Sequence, residues 1–434
     1  MYRLQDGNRV CIIGGGPAGS FAALHLLHMA AMHNRALEVL IFEPRDFSRP
    51  GPAGCNRCAG VLSSRLLRGI ESLGLHLPEE VVQAELHTYA LCLDGEIIRV
   101  HQPDPRRRIV SIYRGGGPKK FQGQPSASFD GWLLSQAVVR GAHHIPVRAH
   151  HITLENGYPV VHTREKQYGA DLLVLAIGAN SRPPLDEAFG YRPPRTSIMA
   201  QDEILMPAGW HPGEVRTYFR SPSWLIFGAL VPKGRYINVS LLGHDIPKSG
   251  VERFLETIPL PRSLQPYGAK QLCGCTPRIA TRPAPRVSGN RWVAVGDAAA
   301  TRLYKDGIGS AFYTARAAMH TAITHGIGHA SFALHYAPYC RKIALDNFFG
   351  RLLFRMWHIT LRIPPLLYAW IGALRDEATL PSQARIHERI LWGMFTGDEP
   401  YQRLFWLSVS PHALWRIVKF LPGGVGKHQK GGKR

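Results

Sequence analysis

The sequence predicts an α/β fold with a nucleotide-binding unit at its amino end, a strand-rich middle and a helical carboxyl end. Three observations predict it: a βαβ pattern over residues 9–43, short apolar runs with glycine turns after it, and five of the nine tryptophans within residues 346–434. The chain has 434 residues, 45% of them hydrophobic, which is enough for a large core and excludes a disordered or collagen-like protein.

The βαβ pattern begins with the apolar run Arg9–Ile13, which ends in the glycine-rich segment 14–19. Small and apolar residues follow over 20–32 and predict a helix, and a second apolar run over 37–42 ends on Glu43. Strand, glycine turn, helix, strand and acid in this order make a βαβ unit of about 35 residues.

The glycine spacing suits a bound dinucleotide. Gly14 permits a tight turn, Gly16 lets the backbone approach a pyrophosphate, and Gly19 lets the helix pack closely on the sheet. Pro17 and Ala18 open the helix, whose positive amino end attracts phosphates. The segment therefore predicts a Rossmann-like domain.

FAD is the dinucleotide that the rest of the chain favours. Glu43 is placed to accept hydrogen bonds from a ribose diol. Far downstream, Gly296 and Asp297 follow another apolar run, and an aspartate there can bind a ribityl hydroxyl. A helix then opens toward the expected flavin ring with Gly307, Ile308 and Gly309.

At these residues the chain resembles the glutathione-reductase-type flavoproteins with a para-hydroxybenzoate-hydroxylase-like fold, and among them the geranylgeranyl reductases. The resemblance covers residues 9–340 and includes further short matches at Cys58-Ala59-Gly60, Phe129-Asp130-Gly131-Trp132-Leu133 and Gly178-Ala179-Asn180-Ser181. It implies an FAD-binding Rossmann-like domain with an inserted β-sheet substrate domain and a C-terminal helical extension.

This resemblance sets the expected domain boundaries. The FAD-binding domain is expected at 1–182 and 276–340, and the substrate-side sheet at 183–275. An amphipathic helical region follows at 341–426, and a basic tail ends the chain at 427–434.

The resemblance also implies roles for individual side chains. Cys58 matches the active-site cysteine of the family, with Cys55 beside it. A degenerate aromatic/Pro-Lys signature assigns three residues to the substrate side: Trp224, Phe227 and Lys233. Lys305 and Asp306 are expected beside the flavin, where they steer its N1 region or relay protons. Arg114 either pairs with an FAD phosphate or is a solvated arginine.

The electron donor stays open. Ile177-Gly178 stands where the family has an Asp-Gly pair, which argues against NAD(P)H as the direct donor, and the chain has no second dinucleotide fingerprint. Three interpretations of the cysteines also compete. They are ordinary cavity thiols, a redox-active dithiol, or a zinc or iron–sulfur site formed by Cys55, Cys58, Cys273 and Cys275.

The helical end is expected to meet an anionic surface. Lys and Arg number 52 against 31 Asp and Glu, a formal net charge of +21. Arg351, Arg355 and Arg362 are expected on one face of a helix. Leu352, Met356, Ile359 and Ile363 are expected on the opposite face. Trp and Arg together suit a headgroup–acyl boundary, although packing on the substrate domain or a dimer interface explains the same pattern. No nucleic-acid-binding motif accompanies the charge.

These observations predict an FAD-dependent oxidoreductase that resembles geranylgeranyl reductases and reduces an isoprenoid C=C bond or a membrane quinone at the membrane surface. An electron-transfer partner that feeds a membrane pool and a flavin monooxygenase are the alternatives. A redox partner protein is an expected donor in the first of these. The absence of a signal-like start, of a spanning segment and of a disulfide pattern favours a cytoplasmic protein, peripheral on the inner face of the membrane.

Overall fold

A computed structural model describes residues 3–55, 59–93, 96–120, 124–219, 222–258 and 273–421. In chain order the strands are β1 (Arg9–Ile13), β2 (Glu38–Phe42), β3 (Val61–Leu62), β4 (Val82–Glu85), β5 (Thr88–Leu93), β6 (Glu96–His101), β7 (Val110–Ile112), β8 (Ala142–Ile145), β9 (His151–Glu155), β10 (Tyr158–His162), β11 (Gln167–Gly169), β12 (Leu172–Leu175), β13 (Thr196–Leu205), β14 (Glu214–Tyr218), β15 (Leu225–Lys233), β16 (Tyr236–Gly243), β17 (Arg278–Ala280), β18 (Ser288–Gly289) and β19 (Trp292–Ala294).

The helices follow the expected order, with most of them at the carboxyl end. They are α1 (Pro17–Met32), α2 (Ser64–Glu71), α3 (Phe129–Val139), α4 (Gly250–Thr257), α5 (Gly307–Thr324), α6 (His329–His335), α7 (Ala337–Arg362), α8 (Pro364–Glu377), α9 (Ile386–Thr396), α10 (Tyr401–Ser408) and α11 (Pro411–Lys419). Among the residues with a described structure, no helix is both long enough and apolar enough to cross a bilayer.

A six-stranded sheet contains the βαβ unit and takes strands from distant parts of the chain, in the order β18-β19-β12-β1-β2-β8. All its pairs are parallel except β18 with β19. Strand β1 lies between β2 and β12, so the chain reverses its direction of travel across the sheet at β1. In doubly wound sheets a ligand binds at the carboxyl ends of the strands at this point.

The strands of this sheet are apolar because both faces are covered. Helices α1 and α5 pack on one face, where Val10, Ile12 and Phe312 are fully buried. The three-stranded meander β9–β11 contributes to the core of the other face together with Cys11 and Leu173. Burial on both faces explains why these strands show no alternation of polar and apolar residues.

The second large sheet has seven strands in the order β17-β13-β16-β15-β14-β5-β6. Its pairs are antiparallel except β14 with β5. The sheet takes β5, β6 and β17 from outside the expected limits 183–275, so the sheet domain is assembled from three stretches of the chain. Side chains alternate along β15 after a register shift between Leu225 and Phe227: Phe227, Ala229 and Val231 face one side, whereas Leu230 packs with α4 on the other, as does Leu225 before the shift.

The carboxyl-terminal helices cover that opposite side of the sheet. Leu353, Trp357 and Leu361 of α7 are buried there, in one cluster with residues of β15 and α9. Ile359 and Ile363 are 44% and 45% exposed, so they do not belong to this buried face. Ile359 lies on the same side of α7 as the arginines. The expected division of α7 into an arginine face and the apolar face of Leu352, Met356, Ile359 and Ile363 is therefore wrong. Helix α7 also runs without a break through the expected boundary at residue 341.

Helices α7, α9 and α10 hold the turn over residues 301–306, which directly precedes α5. Asn347 of α7 accepts a hydrogen bond from the Leu303 amide (2.8 Å) and donates one to the Thr301 carbonyl (2.8 Å). The Tyr401 hydroxyl donates to the Leu303 carbonyl at 2.7 Å. The Arg302 guanidinium donates to the carbonyls of Gly397 and Glu399. We call this set of contacts the turn clamp.

We expect Asn347→Ala to lower the free energy of unfolding by about 3 kcal/mol, because it leaves a buried amide and a buried carbonyl of the turn without partners. Urea denaturation measures the change. Gln402→Ala is the control, since Gln402 is exposed and its side chain makes no hydrogen bond within the described part of the chain. Equal stabilities of the two variants would contradict the clamp.

Candidate functional site

The glycine turn after β1 is built for close contact between backbone segments. Gly14 has a φ of +103°, and its carbonyl oxygen lies where a Cβ on Gly19 would be. The N-cap of α1 is Gly16, so no side chain covers the amino end of that helix. Amide groups of the first turn of α1 therefore face the carboxyl edge of the sheet, where they can hold phosphate oxygens.

Glu43 is fixed directly beside this turn. Its Oε2 accepts a hydrogen bond from the Gly15 amide and its Oε1 accepts one from the Arg45 amide, both at 3.0 Å. A Cβ on Gly15 would lie 2.7 Å from the Cβ of Glu43, which shows how closely β2 approaches the turn. A carboxylate oriented in this way can accept hydrogen bonds from a ribose diol.

The downstream motif packs onto the same helix end. Gly296 has a φ of +62°, and a Cβ there would lie 2.7 Å from the Cβ of Ala18. The Gly296 amide donates to the Thr314 hydroxyl of α5 at 2.8 Å. Two segments almost 280 residues apart in the sequence thereby form one wall, and Asp297 projects from it into a cavity.

The cavity has a volume of about 610 Å³ and connects these motifs. Gly14, Gly16, Pro17, Ala18 and Glu43 line one part of it, and Asp297, Gly307 and Ile308 line another. A volume of several hundred Å³ is typical of small-molecule and cofactor sites. The residues predicted from the glycine motifs thus lie around a single space, apart from the close-packing residues Gly19, Gly296 and Gly309.

The cavity continues into an apolar compartment beneath the seven-stranded sheet. Its walls are Phe227, Ala229 and Val231 of β15, Val215 of β14 and Phe395 of α9. These side chains belong to the buried cluster between the sheet and the carboxyl-terminal helices. The arrangement places a water-poor space next to the Asp297 wall.

Lys305 and Asp306 lie where the two parts of the cavity meet. Both line it, and the flanking Tyr304 and Asp306 have φ values of +64° and +54°. This left-handed backbone is costly for residues other than glycine and is retained here by the turn clamp. The Lys305 ammonium lies 4.2 Å from the centroid of the Phe227 ring, and no acid among the described residues forms an ion pair with it.

Burial shifts the pKa of both charged groups. It lowers the pKa of Lys305 to about 7. It raises the pKa of Asp306 to about 6, although Arg302, Arg65 and a 3.2 Å hydrogen bond from the Ser63 hydroxyl favour the carboxylate. Burial also raises the pKa of Asp297, which Thr301 and Arg114 partly offset. The cavity therefore contains groups that exchange protons near neutral pH.

Arg114 is engaged inside the protein. Its guanidinium donates twice to the buried carboxylate of Asp130, at 3.0 and 2.8 Å, while it also lines the cavity. Asp130 lies in the first turn of α3, whose N-cap is Ser128; the Ser128 hydroxyl accepts a hydrogen bond from the Gly131 amide. The ion pair with Arg114 holds this first turn to the cavity wall.

Two of the four predicted thiols, Cys55 and Cys273, are neighbours, and Cys275 follows two residues after Cys273. Cys55 lines the cavity, and Cys275 pairs through its backbone with Gln201, another lining residue. Burial raises the pKa of Cys273 to about 11, and the neighbouring Cys55 adds to this rise. Cys58 lies outside the described residues. In the described ranges no group of three or more His, Cys, Asp or Glu side chains is arranged to hold a metal ion.

The predicted substrate residues separate into three locations. Phe227 faces the cavity. Trp224 packs beside Gly243 and Gly250 with the cluster on the opposite face of the sheet. Lys233 is buried in an ion pair with Glu203 at 3.6 Å and does not line the cavity. The aromatic/Pro-Lys signature thus places one of its three side chains at the site.

Sequence reasoning missed the lining residues from distant elements, namely Tyr89, Met199, Gln201, Val215, Ser240, Phe395 and Thr396. Alternation along β15 is a signal for Ala229 and Val231, because they share a face with Phe227. Phe395 and Thr396 had no comparable signal, since only the packing of α9 brings them to the cavity.

Comparison with known proteins identifies the fold. The chain is similar to a geranylgeranyl bacteriochlorophyll reductase-like protein from Thermoplasma acidophilum, with 14% identity and a TM-score of 0.61 over 96% of both chains. It is similar to 2-methyl-3-hydroxypyridine-5-carboxylic acid oxygenase, with 16% identity and a TM-score of 0.60 over 79% of this chain and 89% of that one. This chain has the fold of these two proteins.

A further solved structure shares this fold, and two other comparisons found no match. The flavin-dependent halogenase CmlS matches 99% of this chain and 75% of its own, with 16% identity and a TM-score of 0.53. No protein-family model and no curated protein sequence matches the chain. The expected fold class and the structural resemblance to geranylgeranyl reductases are confirmed, while identities of this size leave the reaction to be argued from the site.

We expect Lys305→Met to stabilise the flavin-free protein in a pH-dependent way. The folded-state pKa of Lys305, about 7, lies below its ordinary 10.5, so between these values the unfolded chain binds the proton and the folded chain does not. Stability of the wild type therefore rises with pH across this window. The variant should gain about 2 kcal/mol at pH 6.5 and almost nothing near pH 10.5.

Urea denaturation at the two pH values measures this gain. Lys166→Met, at an exposed lysine on the surface, serves as the control and should change stability at neither pH. A gain for Lys305→Met of the same size at both pH values would show that the ammonium is not buried as described.

Proposed function

We propose that the chain binds FAD and is an oxidoreductase that reduces a C=C bond or quinone ring of a long apolar molecule such as an isoprenoid. One observation carries the proposal: a single cavity joins a dinucleotide-type glycine turn to an apolar compartment, with two titratable side chains between them. The confirmed fold is consistent with this use, and the site residues supply the argument for it.

The residues of the glycine turn fit the nucleotide half of FAD. The amino end of α1 would hold the pyrophosphate, and Glu43 would accept hydrogen bonds from the ribose. Asp297 would bind the ribityl chain, and the first turn of α5 would lie against the ring system. When bound, FAD supplies hydride and electron chemistry that no side chain of the site provides.

Lys305 and Asp306 would set the charge and proton content of the site. A cationic Lys305 favours negative charge on a group beside it. Because the pKa of Lys305 is about 7, only part of the molecules carry the cation near neutral pH. Saturation of a C=C bond would need a proton from the protein in addition to the hydride that the cofactor would supply. Asp306, with a pKa of about 6, is a cavity-lining acid that can hold that proton.

The apolar compartment favours an apolar substrate. Phe227, Val231 and Phe395 offer no hydrogen-bond partners to a polar ring, and the polar lining residues beside them, Gln201 and Ser240, are already hydrogen-bonded to one another at 2.8 Å. An isoprenoid tail gains free energy from the same walls through burial of its methylene and methyl groups. Closure by the carboxyl-terminal helices also excludes water from the reacting bond.

Glu43→Gln tests the nucleotide site. The amide has one acceptor oxygen in place of two, so it cannot accept from Gly15, Arg45 and a ribose hydroxyl together. We expect FAD affinity to fall by about 10- to 100-fold, measured by fluorescence titration of flavin-free protein. Glu38→Gln, at the outer end of β2, should bind FAD as the wild type does. Unchanged affinity of Glu43→Gln would contradict the assigned ribose contact.

Reoxidation of the reduced protein tests the reaction. Under anaerobic conditions, geranylgeraniol or a short-tailed ubiquinone should reoxidise the protein at least about tenfold faster than a polar aromatic acid such as para-hydroxybenzoate. Hydroxylation of the aromatic acid with O₂ would instead identify a monooxygenase. Reduction by NAD(P)H in the stopped flow distinguishes a nicotinamide donor from a protein donor.

A further inference from the structure

The outer face of α7 carries basic side chains that have no ion-pair partner among the described residues. Helix α7 has five basic residues and one acid, Asp346, in its 26 positions. All five basic side chains are exposed and form no hydrogen bond or ion pair with any described residue; they are Arg341, Lys342, Arg351, Arg355 and Arg362. Unpaired cations at this density create a positive surface potential.

Large apolar side chains are exposed among these cations. Leu345, Phe348 and Ile359 recur at steps of three, four and seven with the arginines and share their side of the helix. On the neighbouring helix α10, Trp406 is 59% exposed and its ring centroid lies 6.2 Å from that of Phe349. We call Leu345, Phe348, Arg351, Arg355, Ile359, Arg362 and Trp406 the outer α7 face.

The next helix continues this composition. Helix α11 packs on α8 and α10 through Ala413 and Ile417, yet its other side exposes Leu414, Trp415 (64% exposed) and Val418. The chain after α11 carries five basic or histidine residues in its last eight positions, Lys427, His428, Lys430, Lys433 and Arg434. A helix that is apolar on both sides and precedes a basic segment suits the boundary of a bilayer.

We propose that the outer α7 face docks on the surface of an anionic phospholipid bilayer. The arginines would contact the headgroups, while Phe348, Ile359 and Trp406 would enter the upper acyl region. Charge complementarity supports this partner, because the chain has a formal net charge of +21 and the cations of α7 have no acidic partners of their own.

A bilayer suits this face better than an acidic protein or a nucleic acid. A polyanion would pair with the arginines but leave the interleaved Leu, Phe, Ile and Trp side chains against water or charge. A lipid surface satisfies both kinds of side chain at once, since headgroups and acyl chains lie within a few ångströms of one another.

Docking in this orientation would place the apolar cavity on the other side of the helical layer from the lipid. The same helix that exposes Arg355 contributes Phe354 to the inner side, where its ring packs with those of Phe227 (6.4 Å) and Tyr304 (5.3 Å). The substrate compartment and the bilayer would thus be separated by the thickness of the helical layer. This last step rests on the proposed function, whereas docking itself does not.

Vesicle sedimentation with the full chain tests the docking. We expect binding to phosphatidylcholine vesicles with 30% phosphatidylglycerol, weaker binding in 0.5 M salt, and little binding to pure phosphatidylcholine. Arg351→Glu with Arg355→Glu should weaken binding at least about tenfold. Phe348→Ser with Trp406→Ser should also weaken it, and circular dichroism checks that each variant is folded.

Matched pairs at other exposed sites are the controls. Arg164→Glu with Lys166→Glu makes the same change in net charge, and Met32→Ser with Val139→Ser removes apolar side chains that are 72% and 79% exposed. Losses in the controls equal to those of the face variants would overturn the proposal. So would heparin binding that depends on the face when vesicle binding does not. A protein that binds vesicles but no FAD would overturn the proposed function and leave the docking surface intact.

Discussion

The turn clamp is the constraint on which the rest of the site depends. The turn over residues 301–306 contains two residues with left-handed backbone, and it presents Lys305 and Asp306 to the cavity. Neither left-handed residue is a glycine, and this backbone is costly above all for the bulky Tyr304. Asn347, Tyr401 and Arg302 hold the turn through five hydrogen bonds between it and the carboxyl-terminal helical region. The helical extension is therefore part of the site.

A second close contact joins the two halves of the nucleotide site. Gly296 and Ala18 leave no room for larger side chains between the downstream turn and the start of α1. Since the Asp297 wall and the glycine turn are fixed to one another by packing, the distance between them does not depend on a bound molecule. This preorganisation suits a cofactor that spans both segments.

The parts of the molecule that could be predicted from the sequence are those set by local backbone geometry. Gly14, Gly16 and Gly19 define a turn whose shape follows from the absence of Cβ atoms, and Glu43 follows at a fixed place after the next strand. The order of helices and strands follows from runs of apolar residues in the same way. Local patterns therefore predict the nucleotide side of the cavity, whereas Phe227, Lys305 and Asp306 were expected there from the family resemblance.

The other side depends on packing between distant segments, which leaves no local pattern. Phe395 lines the cavity only because α9 packs on the seven-stranded sheet. Lys233 lies outside the cavity, where it forms a buried ion pair with Glu203. The arginine spacing of α7 was visible in the sequence, but its buried face was not. Leu353, Trp357 and Leu361 are buried there, since the sheet contributes the matching apolar surface.

Hydrogen–deuterium exchange of the full chain with and without FAD tests the central claim most directly, because it reports on both halves of the site in one experiment. We expect slower exchange on FAD addition in two separate segments: residues 14–20, which comprise the glycine turn and the start of α1, and residues 301–309, which comprise the clamped turn and the start of α5. Failure to take up FAD, or protection of the first segment without the second, would contradict a cofactor that spans the cavity from the glycine turn to Lys305.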